Sequence, residues 1–171
     1  YVDLSNTKWG VIESTSNLSW ADAPSRARRV VRPFDTIVAT TRPGNGSYAY
    51  IAKDGMTAST GFAVLRPKQE FSINAVNIAA TLPENIERLA TLADAHGGAY
   101  PAVKPEVVLA SPFVSCGNQL LTEFEKIANS IRNRLEFGKQ DNQPLAQPRD
   151  YLLPKLMSGK IRAGDVEVKA A

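Results

Sequence analysis

The sequence predicts an α+β chain: a β-rich first part with short helices, then a long C-terminal α-helix that pairs with another helix. Three observations carry this. Residues 1–80 hold β-branched and apolar runs cut by turn residues, without a helical period. After Phe71 the apolar residues fall three and four apart. Leu120, Phe124, Ile127, Ile131 and Leu135 keep that spacing, and Phe124 and Ile131 are one heptad apart, as in a seam facing a second helix.

The elements follow in order. Asp35-Thr36-Ile37-Val38-Ala39-Thr40-Thr41 reads as a strand, because it is β-branched and apolar. Arg42-Pro43-Gly44-Asn45-Gly46-Ser47 is a turn signal. Tyr48–Ala52 resumes an extended pattern and ends at Lys53-Asp54-Gly55. Thr60–Arg66 is a further strand, stopped by Pro67. Short polar links between these runs indicate a mostly antiparallel sheet. Ile73, Val76 and Ala80 mark a short helix. Thr81-Leu82-Pro83-Glu84 has the form of a capping box with Thr81 as the cap. The helix it opens has Ile86, Leu89, Ala90 and Ala93 on one face, and Gly97-Gly98 ends it. Residues 99–118, with Pro101, Pro105, Pro112 and Gly117, read as a connector with one short extended piece, Glu106 to Leu109. The last helix is firm to about Glu136 and is expected to break or kink near Pro144. Its heptad positions continue as Gly138, Leu145 and Leu152.

Composition excludes several classes. With 43% hydrophobic and 22% charged residues, the chain is not disordered throughout. It has no apolar run of about 18 residues, so no transmembrane helix is expected. Its opening, Tyr1-Val2-Asp3, is neither basic nor followed by an apolar core, so no signal peptide is expected. The lack of an initial Met is what a piece of a longer product would show. One cysteine, Cys116, allows no intrachain disulfide and no thiolate zinc site. The reducing cytoplasm is therefore the expected compartment. Cys116 reads as a small buried or boundary residue. His96, before Gly97-Gly98, suits a helix C-terminus.

Twenty basic and seventeen acidic residues leave a net charge of +3. That total is too small to name a nucleic-acid partner. Residues 1–80 hold nine Lys/Arg against six Asp/Glu, and residues 81–171 hold eleven of each, so the whole excess lies in the first half.

Catalytic equipment is sparse. The sequence has no phosphate-binding loop, no dinucleotide fingerprint and no paired-histidine zinc motif. Glu84/Glu87 and Glu123/Glu125 read as ordinary solvated helix charges. No metal ligand set and no catalytic residue is expected.

The basic features say more. Arg26, Arg28, Arg29 and Arg32 fall within seven residues. Arginine binds phosphate bidentately and reads guanine edges. A solvated face paired with Asp22 and Asp35 accounts for the run equally well. The turn from Arg42 to Tyr50 offers Arg42, Asn45, Ser47 and Tyr48 to base edges or phosphates, and its glycines permit close approach. Locally it reads as a plain hairpin loop. Trp9 and Trp20 read as packing residues.

One late segment is unusually specific. Arg149-Asp150-Tyr151-Leu152-Leu153-Pro154-Lys155-Leu156-Met157-Ser158-Gly159-Lys160-Ile161 resembles the closing motif of DNA-specificity subunits of type I restriction–modification systems. Further likenesses run in the family's order: Ala23-Pro24-Ser25-Arg26-Ala27-Arg28-Arg29, Asp35–Pro43, Thr60–Pro67 and Gly98–Val103. Together they span nearly the whole chain.

The resemblance implies a non-catalytic reader of DNA. The family alternates two target-recognition domains with two helical spacers that pair antiparallel as a coiled coil. Each domain reads one half of a split site. Methyltransferase subunits dock on the framework and hold S-adenosylmethionine, and a motor/nuclease restriction subunit completes the enzyme. The chain itself would then need no cofactor. Residues 1–118 would be one recognition domain, lacking its N-terminal opening, and residues 119–171 the spacer and tail. Leu145-Ala146-Gln147-Pro148-Arg149-Asp150 departs from the family by its proline.

On this reading the expected DNA contacts are Arg42, Asn45, Ser47 and Tyr48, with Arg26, Arg28, Arg29 and Lys53 on phosphates. Arg42 has a structural alternative: a residue shared across specificities does not set them. Leu120, Phe124, Ile127, Ile131 and Leu135 would pair with a second spacer helix. In a half-length protein that helix belongs to a second copy, giving a two-fold dimer. Two other readings stand beside this one: the recognition part of a fused adenine methyltransferase–nuclease, and a pure assembly module using only its last helix.

Overall fold

Thr36, Ile37, Val38 and Ala39 are all buried, which explains why their segment does not alternate between apolar and charged residues. The computed structural model describes residues 1–95, 100–114 and 116–162. Among these, seven short strands precede four helices. The strands are β1 (Thr7–Lys8), β2 (Val11–Ile12), β3 (Ala27–Val30), β4 (Thr36–Ala39), β5 (Tyr48–Tyr50), β6 (Thr57–Ser59) and β7 (Phe62–Leu65). The helices are α1 (Ile73–Thr81), α2 (Pro83–Ala95), α3 (Pro105–Leu109) and α4 (Asn118–Met157). The chain divides into two units, Tyr1–Lys126 and Ile127–Ala171, so α4 begins in the first and continues in the second.

The expected antiparallel sheet forms, with β4 between β5 and β7. Ile37 lies opposite both Ala49 and Val64. Successive side chains on a strand point to opposite faces. Val38, Ala63 and Leu65 accordingly join Ile86, Leu89 and Val108 on the helical side. Ile37, Ala39 and Phe62 join Val2, Val31 and Ile51 on the other. Two further antiparallel pairs, β1–β2 and β3–β6, complete the β part. Neither β3 nor β6 stood out in the sequence: the arginine run itself is a strand, and its outward side chains carry no apolar alternation.

Three expectations need correction. Thr81 is not a cap. It ends α1, and its hydroxyl donates to the Asn77 carbonyl (2.8 Å). The carbonyl of extended Leu82 instead accepts the first amides of α2, from Asn85 (2.9 Å) and Ile86 (3.0 Å). The extended piece at Glu106 to Leu109 is helical. Pro105 fills the first helical position, Glu106 suits the first turn, and Val108 is driven into the core. Five residues are too few to display that period. Finally, α4 does not break near Pro144 but runs through Pro144, Pro148 and Pro154 to Met157. A proline's φ of about −65° is helical; it removes one amide donor and crowds the carbonyl four residues back. His96 and the Gly97-Gly98 stop lie outside the described residues.

Candidate nucleic-acid interface

The β4–β5 turn is built by two left-handed residues around a short 3-10 turn, Pro43–Asn45. Arg42 has φ 46° and Gly46 φ 72°. The Arg42 amide donates to the Pro101 carbonyl (2.8 Å), and its guanidinium lies over the Tyr100 ring, 5.1 Å from the centroid. Arg42 thus braces the turn against the 100–103 segment, in line with its structural alternative. The Trp9 amide donates to the Gly46 carbonyl (2.7 Å), and the Trp9 indole covers Gly46 so closely that a Cβ there would meet it at 2.7 Å.

The four turn candidates therefore separate. Asn45 is exposed at the tip, and Arg42 is also at the surface. Ser47 is buried, and its hydroxyl donates to the Leu4 carbonyl (3.1 Å), so it faces the fold. Tyr48 packs beside the helical core and meets Trp9 edge-on, with ring centroids 6.1 Å apart.

The second set lies on β3 and beside β6. The pairing of β3 with β6 shifts register between Ala27 and Arg29, placing Arg28 at a bulge. Arg28 and Arg29 are exposed; the Arg28 Nε donates to the Ser25 carbonyl (2.8 Å). Lys53 is exposed in the link from β5 to β6. Among the described residues, Arg28, Arg29 and Lys53 have no acidic partner. Arg26 pairs with Asp3 (2.5 Å).

The acids expected to neutralise the run are engaged elsewhere. Asp22 accepts from the Ser19 hydroxyl. Asp35, only 1% exposed, accepts both arms of the Arg66 fork (2.8 and 2.6 Å) and the Arg32 amide (2.8 Å). These hydrogen bonds raise the Arg66 pKa above its already high value. The cationic strand is thus left facing water.

Sequence reasoning missed two features. Trp20 is not a packing residue: it is 94% exposed, and Trp9 is 57% exposed on top of the turn. Glu125 is not a solvated charge. It is 3% exposed, and its carboxylate accepts from the Asn74 amide (3.1 Å), the Asn74 side chain (2.7 Å) and the Ala75 amide (2.8 Å), capping α1. Its signal was present in the spacing from Leu121, which is buried one turn earlier on the same face. Glu123 is the ordinary surface charge expected, paired with Lys126.

Leu120, Phe124, Ile127, Ile131 and Leu135 are all exposed along α4. Within the first unit, Leu120 and Phe124 also line an apolar groove of about 430 Å³ with Ile78, Leu82, Phe113 and half-buried Cys116. In the second unit, Arg149 beside Asp150 holds that carboxyl below its usual range. Among the described residues no group of three His, Cys, Asp or Glu side chains could hold a metal, and no helix is long and apolar enough to cross a membrane.

No family model matches the chain. It is 22% identical over 129 residues to the specificity subunit of the type I restriction enzyme HindI from Haemophilus influenzae, covering 74% of this chain and 28% of that protein. A chain from a structure of complex assembly and conformational transition in the type I restriction–modification system matches all of this chain and 44% of its own length. That match has a TM-score of 0.62 and 28% identity. The crystal structure of the HsdS subunit from Thermoanaerobacter tengcongensis matches 99% of this chain and 44% of its own, with a TM-score of 0.61 and 25% identity. The chain therefore spans less than half the length of each relative.

Proposed function

We infer that the chain is a segment of a type I restriction–modification specificity subunit, one recognition domain with its helical spacer, and that it reads one half of a bipartite DNA site. The observation that carries this reading is the likeness in fold over 99% of the chain to the HsdS subunit. Exposed cations on β3 and in the β5–β6 link support it chemically. Arg28, Arg29 and Lys53 are cations without acidic partners among the described residues, as phosphate contacts require. Asn45, at the exposed tip of the β4–β5 turn, is the residue best placed to read a base edge. Ser47 and Tyr48 hold the turn in shape. Arg42 braces it.

On this reading residues 1–118 form the recognition domain and residues 119–171 the spacer and tail. The exposed stripe from Leu120 to Leu135 takes a second spacer helix, from a second copy or from the rest of a longer subunit. Burying each such side chain is worth about 1.5–3 kcal/mol. Methyltransferase subunits, which bring S-adenosylmethionine, and a motor/nuclease subunit complete the enzyme. The chain adds no catalytic group and acts in the cytoplasm. The relatives are specificity subunits, which favours this reading over a fused adenine methyltransferase–nuclease.

Binding-site selection from random duplexes tests the proposal, using the complex of this chain with its methyltransferase subunits. A fixed half-site should emerge and should change when the recognition domain is exchanged. A selection that ignores the exchange would refute it.

A further inference from the structure

Trp20 is 94% exposed, more than any other large apolar residue described. Tryptophan is enriched at binding interfaces, where one end of the ring is apolar and the other wet, so an indole held out on a built turn is a ready contact. The display is built. The Asp22 amide donates to the Ser19 carbonyl (3.2 Å), closing a turn with Trp20 inside it, and the Ser19 hydroxyl donates to the Asp22 carboxylate. The connection carrying this turn is tied at both ends. Tyr1 and Ser16 exchange backbone bonds (2.7 and 3.1 Å), and the Arg26 carbonyl accepts from the Thr60 amide (2.8 Å).

The surroundings indicate the partner. Trp20 borders a cleft of about 250 Å³, lined mainly by small and polar groups such as Ser16, Asn17, Ala27 and Thr57. Ala27 opens the strand that carries Arg28 and Arg29. Residues 17–32 hold four arginines and one aspartate. Trp20 thus shares its cleft with the residue that opens the cationic strand, and aromatic rings beside a cationic track are the pattern that stacks on nucleotides. Building on the DNA-reading function above, we propose that Trp20 is an aromatic DNA contact that packs on a sugar or an unstacked base beside the phosphates held by Arg28 and Arg29.

The chain has two tryptophans, so W9F leaves Trp20 as the sole indole reporter. The full chain, W9F, W20A and R28A are titrated with duplex DNA at low salt, following emission, acrylamide access and affinity. Trp20 emission in W9F should be quenched and shielded by duplex. W20A should bind about tenfold more weakly with an unchanged salt slope, because an indole displaces no counterion. R28A should lower both affinity and slope. If R28A weakens binding while W20A binds like the parent and Trp20 emission stays constant, the Trp20 contact is refuted and DNA reading stands. If W20A instead weakens only the binding of a methyltransferase subunit, the contact is to protein and the proposal falls. If the parent binds no duplex at all, alone and in its methyltransferase-bound complex, the DNA reading fails, and the Trp20 contact with it. Should W9F unfold, ¹⁹F-labelled tryptophan in the parent gives two resonances, and W20F assigns that of Trp20.

Discussion

The Glu125 carboxylate accepts hydrogen bonds from both the backbone and the side-chain nitrogen of Asn74, at 3.1 and 2.7 Å. A residue of the last helix thereby caps the first helix, 51 positions earlier in the chain. E125A leaves buried donors of Asn74 and Ala75 unsatisfied. A destabilisation of about 2–4 kcal/mol is expected in urea unfolding of the full chain, and E125Q, which keeps one acceptor, should lose less. An E125A chain within about 0.5 kcal/mol of the parent would show that the cap contributes little.

Buried Asp35 and exposed Arg66 form the second anchor. D35A orphans the Arg32 amide and both arms of the Arg66 fork, and should cost about 2–3 kcal/mol. R66K should lose much of the same stability, since an ammonium cannot reproduce two parallel N–H bonds. Thermal unfolding separates these outcomes. Equal stability of R66K and the parent would mean that charge alone suffices.

At Gly46 two effects coincide: a left-handed backbone and the Trp9 indole overhead. G46A should cost about 2–4 kcal/mol, the sum of αL strain and overpacking. It should also shift Trp9 emission, because the ring must move. R42G should be better tolerated for its backbone, since glycine accepts that conformation, although the contact to Tyr100 is lost.

The helix seam makes its own demand. I127E with I131E should raise the dissociation constant of the paired state by at least about a hundredfold, as sedimentation equilibrium reads it. Because both side chains are exposed, the monomer's unfolding midpoint should stay within a degree or two. A loss of folding without a change in association would contradict the seam.

What could be read from sequence follows from burial. β4, β5 and β7 are legible because burial makes them apolar, α1 because Ile73, Val76 and Ala80 fall three and four apart, and α2 because Ile86, Leu89 and Ala93 repeat on one face. β3 is hidden: its outward arginines have no reason to alternate with apolar residues. Glu125 and Trp20 defeat residue-type rules from opposite directions, one a charge buried to cap a helix, the other an indole held in water. The basic residues of the candidate site were found by charge. The inward roles of Ser47 and Tyr48 depend on Leu4 and Trp9, far away in sequence, and no local pattern reports them.

DNA binding by R28A and N45A in the methyltransferase-bound complex tests the central claim most directly, measured across a duplex library and a salt series. R28A should weaken every duplex alike and lower the salt slope by about one unit, while N45A should alter the preference among sequences. If both variants bind every duplex as the parent does, the assignment of β3 and the β4–β5 turn to the DNA interface is wrong.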